Sequence, residues 1–153
     1  MSQEQMKVGW SEMDTTSHQD HVIAHVLGAT IMGYLIHDET LYALLDIGFI
    51  WRIYLDGEMG LLPHPVAVVE LDVGEEARRE IQSDIDLLLR QGIHAQPLVK
   101  LNPVPADCLI TDVTLHSRGD ERRLLIRGEE SGLRVDTSLS SGDITVNTME
   151  ADG

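Results

Sequence analysis

The stretch from Phe49 through Asp56-Gly57 to Pro63 and Pro65 constrains the fold more than any other part of the chain. Phe49, Ile50, Trp51, Ile53 and Tyr54 are aromatic or β-branched, the residue types that suit a pleated, half-buried surface. Asp56-Gly57 follows, a dipeptide that tolerates the positive φ of a tight hairpin turn. These residues predict a strand over 49–55, a turn at Asp56-Gly57 and a short return through Met59 to Leu62. Pro63 and Pro65 lack backbone N–H groups, so they mark a loop or the edge of a sheet. Arg52 is the only charge in the strand before the turn.

The flanks extend this nucleus. Leu41, Leu44 and Leu45 are spaced three and four apart and predict a short helix over 38–47, with Asp38 as its N-cap and Gly48 as its stop. Val66 to Leu71, apolar until Glu70, predicts a third strand covered on both faces. Further back, Thr16 with Gln19 matches a capping box, and Ser17 with Asp20 is an overlapping alternative. From there a helix is predicted over 18–35, weakened at Gly28 or Gly33 and placing Ile23, Leu27 and Ile31 toward the core. Residues 1–14 are polar and read as a flexible segment, although Trp10 and Met13 are able to pack onto the body.

The clearest helix runs from Glu75 to Gln91. Ala77, Ile81, Ile85, Leu88 and Leu89 form its apolar stripe, Glu75 and Glu76 complement its positive end, and Gly92 stops it. With a strand on either side, at 66–71 and 98–101, it predicts a right-handed β-α-β unit. Pro97, Pro103 and Pro105 punctuate a connector. Short alternating runs then cover 108–116, 122–127, 133–137 and 144–148, separated at Gly119-Asp120, Ser131-Gly132 and Ser141-Gly142. Leu133 and Val135 point one way and Arg134 and Asp136 the other, which predicts an antiparallel meander with one wet face.

The fold class is therefore α+β: an N-terminal helix pair, a short hydrophobic sheet with one crossing amphipathic helix, and a C-terminal antiparallel β-meander. At 153 residues the chain fits one domain, with lobes at 15–102 and 103–153.

Charge sets the broad function class. A formal net charge of -15 opposes phosphate backbones and anionic lipid surfaces, so neither nucleic acid nor a membrane is an expected partner. Cys108 stands alone and cannot form an internal disulfide, which predicts a reducing cytoplasm and a buried, structural thiol. The N-terminus carries no signal-peptide pattern, and the most apolar window is too short to span a bilayer.

One constellation suggests chemistry. On a helix His18, His21 and His25 fall on one stripe, with Asp14 a turn earlier. Such a set is able to share a divalent ion, zinc in preference to nickel, iron or manganese. In a hydrolase the metal-bound water would be the nucleophile, and Asp14 or Glu39 the first carboxylate to test as general base. Other sets are thinner. His37-Asp38-Glu39 is a candidate for a metal or acid/base site and Asp56 with Glu58 for an acid/base pair, while Arg122, Arg123 and Arg127 form a basic spot that neighbouring carboxylates, or else a carboxylate or phosphate ligand, would pair. Gly28 to Gly33 has the glycine spacing of a phosphate-binding loop, but Tyr34 and Leu35 stand at its Lys and Ser/Thr positions.

The sequence thus predicts a non-enzymatic interaction or small-ligand-binding domain that self-associates and needs no cofactor. A small metal-dependent hydrolase or metal-binding regulator using the His stripe is the alternative.

Overall fold

The computed structural model describes residues 9–47, 50–56, 60–92 and 95–150, with the backbone alone at 55–56, 60–65, 105–107 and 150. In chain order these are β1 (Ser11–Glu12), α1 (Ser17–Val26), β2 (Thr30–His37), β3 (Thr40–Leu45), β4 (Ile50–Asp56) and β5 (Gly60–Val66). A 3-10 turn at Val68–Glu70 leads to α2 (Glu75–Gln91). The strands β6 (Asn102–Arg118), β7 (Glu121–Gly128), β8 (Ser131–Ser138) and β9 (Ile144–Glu150) follow.

All the strands join one antiparallel sheet in the order β5-β4-β3-β2-β6-β7-β8-β9, with β1 beside the far end of β6. β6 is the hinge. Its first half pairs with β2, from Asn102 opposite Tyr34 to Leu109 opposite Thr30. Its second half pairs with β7, from Ile110 opposite Gly128 to Arg118 opposite Glu121. Register shifts between Ile31 and Gly33 and between Ile110 and Asp112 mark irregularities that add local twist. The sheet therefore bends back on itself. Trp51 of β4 and Leu124 of β7 lie in one buried cluster although β3, β2 and β6 separate their strands.

That cluster, closed by Val22 and Val26 of α1, is the first of two cores. The second lies on the other face of the N-terminal strands, where Met32, Leu35, Tyr42, Leu44 and Ile50 meet Ile81, Ile85 and Leu88 of α2. Strand β3 thus buries Leu41, Ala43 and Leu45 in one core and Tyr42 and Leu44 in the other. The loop after α2 is held by a buried carboxylate. Asp84 accepts from the N–H groups of Val99 at 2.9 Å, Lys100 at 2.6 Å and Leu101 at 2.8 Å. A polar group so placed is stable because its lone pairs are satisfied.

Several sequence expectations stand. Thr16 and Gln19 form the capping box, with Gln19 N–H donating to Thr16 Oγ1 at 3.1 Å and Thr16 N–H to Gln19 Oε1 at 2.9 Å. The helix Glu75–Gln91 has the predicted bounds and stops at Gly92, where φ is 91. β5 is the edge strand its prolines require, and the meander forms with Gly119-Asp120 at its first turn. Trp10 and Met13 pack onto the body: Met13 packs against the first core, and the guanidinium groups of Arg118 and Arg123 lie over the Trp10 ring, 4.4 and 4.1 Å from its centroid. Residues 57–59, with the turn glycine Gly57 and Glu58, lie outside the described residues.

Others are corrected. Of the helix pair expected over 18–35 and 38–47, only the first forms among the described residues, shortened to Ser17–Val26. α1 ends at Val26, where Gly28 takes φ 86 and its N–H donates to Ile110 O at 2.9 Å, so the chain is captured by β6 and enters β2. Ile31 is consequently a buried strand residue, and Leu27 is 46% exposed rather than a core residue. The expected helix at 38–47 is β3, and Asp38 is a turn residue with φ 51, not an N-cap. With every position apolar, the spacing of Leu41, Leu44 and Leu45 fits either period, and pairing on both sides chose the strand.

The expected strand at 66–71 is a 3-10 turn in which Glu70 Oε1 accepts from Ala67 N–H at 2.8 Å, leaving Val69 74% exposed. No strand forms at 98–101 either, so the predicted β-α-β pair is absent. α2 instead links the edge strand β5 to β6, with β4, β3 and β2 between them in the sheet. Pro103 sits inside β6 opposite Gly33, not in a connector, and Ser131-Gly132 opens β8 while the turn falls at Glu129-Glu130. On α2, Leu89 is exposed and Asp84 takes a buried place the apolar stripe did not include. The proposed lobe boundary at 102/103 falls within β6, which hydrogen-bonds to both halves.

Candidate functional site

A cleft of about 450 Å³ opens where α2 ceases to cover the second core. Its geometry follows from the β2–β3 hairpin. Asp38 and Glu39 both have positive φ, 51 and 59, as a two-residue turn with strand-matching twist requires. His37 and Thr40 are the pair that closes this turn. Two residues further on, Tyr42 faces the cleft opposite Arg52 of β4.

On that face β3 presents Thr40, Tyr42 and Leu44, and β4 presents Ile50, Arg52 and Tyr54. Leu44 and Ile50 lie beneath α2 as core. Tyr42, Arg52, Tyr54 and Thr40 continue past it and line the cleft, joined by Asp72 from the approach to α2 and by Gly142 from the β8–β9 turn. Elements from both halves of the sequence therefore meet here.

Arg52 dominates the electrostatics. Its guanidinium lies over the Tyr54 ring, 5.0 Å from the centroid, a contact favoured by the negative ring face. Its buried Nε has no hydrogen-bond partner among the described residues, and no described carboxylate forms an ion pair with it. Lys100, Arg118, Arg123, Arg127 and Arg134 do have such partners, whereas Arg78, Arg79, Arg90 and Arg122, like Arg52, have none among the described residues; of these Arg52 alone lines the cleft. Burial pushes the Tyr42 hydroxyl above the ordinary phenol range. The Arg52 charge opposes that rise, Asp72 and Asp38 reinforce it, and the hydrogen bond with Thr40 opposes it. Tyr42 is thus a proton-bearing donor in a cleft of mixed charge.

The sequence-predicted residues are arranged otherwise. His18, His21 and His25 all lie on the exposed side of α1, spaced as the helical stripe requires. Asp14 precedes the N-cap Thr16, outside the helix, so the stripe does not extend to it. Among the described residues no group of three or more His, Cys, Asp or Glu side chains is placed to hold a metal ion. His37, Asp38 and Glu39 stand together on the cleft rim. The Asp56 side chain and Glu58 lie outside the described residues.

The basic spot is largely paired: Arg123 binds Asp136 at 2.7 Å and Arg127 binds Asp112 at 3.3 Å, while Arg122 donates to the Gly119 and Glu121 carbonyls. Cys108 is buried beside Ser131, and desolvation pushes its thiol up to about 11. Among the described residues no helix is long and apolar enough to cross a membrane. The Gly28–Gly33 segment is the turn after α1 and the start of β2.

Comparisons with protein-family models, curated proteins and solved structures return no match to this chain. A functional reading therefore rests on the cleft itself. Sequence reasoning missed Tyr42, Arg52, Tyr54 and Asp72 because it placed Tyr42 on a helix and Asp72 beyond a strand. The available signal was Arg52, a lone charge within an apolar strand.

Proposed function

We propose that this protein is a non-enzymatic binding domain whose cleft takes a small polar ligand with an anionic and a cationic end, such as an amino acid. The observation that carries this reading is Arg52, a guanidinium on the cleft wall without an ion-pair partner among the described residues, in a chain of net charge -15. A carboxylate on the ligand supplies the planar partner that a guanidinium fork favours. Asp38, Glu39 and Asp72 line the same cleft, so a purely anionic ligand meets repulsion that an ammonium group on the same molecule relieves. The protonated Tyr42 hydroxyl serves as a donor, and the Tyr54 ring holds Arg52 in place.

The test is calorimetric titration with γ-aminobutyrate and a panel of α-amino acids, alongside butyrate and butylamine as single-charge controls. At least one zwitterion is expected to bind more tightly than either control, and Arg52→Met to abolish the difference. Equal binding of all probes, no binding of any, or unchanged zwitterion binding by Arg52→Met would refute the proposal.

A further inference from the structure

The two ends of the sheet are finished differently. At the β5 end, Pro63 and Pro65 stand opposite Ile53 and Trp51. They remove N–H donors from the strand, and proline on an edge is a common protection against further pairing. At the other end, β9 reads Ile144-Thr145-Val146-Asn147-Thr148-Met149-Glu150, without proline or glycine and with Glu150, its last residue, as its one charge. Among the described residues no strand pairs with its outer side, and Thr145, Asn147 and Thr148 are exposed. An open, β-branched edge with no charge from Ile144 to Met149 is a template for another strand.

We infer that the outer edge of β9 pairs antiparallel with β9 of a second copy of this chain, joining two sheets into one. Three observations select that occupant. A net charge of -15 makes two copies repel over most of their surfaces, and this neutral strip is where their approach costs least. The next row inward is also neutral in sum, since Arg134 and Asp136, opposite Asn147 and Thr145, form an ion pair at 3.2 Å. Antiparallel pairing of a strand with itself is the self-complementary contact of a two-fold dimer. In that contact Ile144, a member of the first core, and Val146, packed against it, extend that core toward their counterparts. The inference is independent of the ligand cleft.

Sedimentation of the full chain, with amide hydrogen exchange over Thr145 to Thr148, tests it. The wild type is expected to sediment at twice the 17.0 kDa chain mass, and dilution to the monomer to speed exchange at those amides. Thr145→Lys with Asn147→Lys is expected to abolish the dimer, because an edge lysine opposes strand pairing. These changes also reduce the net negative charge, so general repulsion predicts the opposite result. Gln82→Lys with Gln91→Lys on the exposed side of α2 makes the same charge change and is expected to leave the dimer intact. A wild type that stays monomeric at high micromolar concentration overturns the inference. A dimer that persists in the β9 variant does so too, as does exchange at 145–148 that ignores concentration.

Discussion

Strand β3 buries apolar side chains on both faces, whereas β8 alternates Leu133 and Val135 with Arg134 and Asp136. The difference runs through the whole molecule. The N-terminal strands are the filling between two cores, with α2 on one side and the bent-back sheet on the other. The C-terminal strands cover one core and present an ion-paired outer face. A two-faced layer derives its stability from burial on both sides, and a one-faced layer from burial on one. The cleft lies at the limit of the two-faced layer, where α2 no longer covers it and Tyr42 and Arg52 emerge.

Substitutions measure that contrast. The largest effect is expected at Trp51, fully buried in β4. Trp51→Ala should destabilise by roughly 3–5 kcal/mol in denaturant unfolding, whereas Leu125→Ala on the outer side of β7 should cost less than about 1.5 kcal/mol. Equal losses at the two positions would dissolve the distinction between the layers.

Asp84→Ala should cost roughly 2–4 kcal/mol, because the N–H groups of Val99, Lys100 and Leu101 lose their shared acceptor. A loss under about 0.5 kcal/mol would show that the loop after α2 does not depend on this carboxylate.

Alkaline pH probes the core that both layers share. The folded Cys108 thiol titrates near 11 against an ordinary 9.0, so the unfolded chain releases this proton first. The thiol is neutral in both states below pH 9, and its contribution is lost as pH rises from 9 toward 11. The slope is at most about 1.4 kcal/mol per pH unit. Cys108→Ala should flatten the alkaline decline of stability by that increment, and an unchanged slope would contradict a desolvated thiol.

The smallest effect is expected at the exposed helix. His21→Ala should shift stability by less than about 0.5 kcal/mol. Thermal melts of this variant and the wild type, each with zinc and with chelator, distinguish a solvated side chain from a metal ligand. A zinc-dependent stabilisation of the wild type that the variant loses would restore the His stripe as a metal site.

The one-faced layer was the readable part of the chain. Alternation in Leu133-Arg134-Val135-Asp136 can be satisfied only by a strand with one wet side, and the turn residues Gly119-Asp120 fix where it reverses. Leu41 to Leu45 carries no such information, because a segment buried on both faces has no polar positions to mark a period. Tyr42 was misplaced for that reason, and the cleft was lost with it. The opposite failure occurred at Val66–Leu71, where continuous apolarity suggested a central strand but the edge strand β5 ends at Val66. The His stripe was read with the correct helical geometry, and the capping box at Thr16 already placed Asp14 ahead of the helix.

What the sequence determined by itself is local: the Thr16–Gln19 capping box, α2 between Glu75 and Gly92, the edge position of the prolines, and the rhythm of the meander. Each rests on contacts among residues a few positions apart, or on the absence of an N–H group. Tertiary structure decided whether 38–47 is helix or strand, which carboxylate is buried, and what faces Arg52. Those outcomes depend on pairing β3 between β2 and β4, on loop N–H groups converging upon Asp84, and on Asp72 and Gly142 arriving from distant segments. Burial energy is nearly indifferent to backbone geometry, and the hydrogen-bond partners that choose between geometries come from remote parts of the chain.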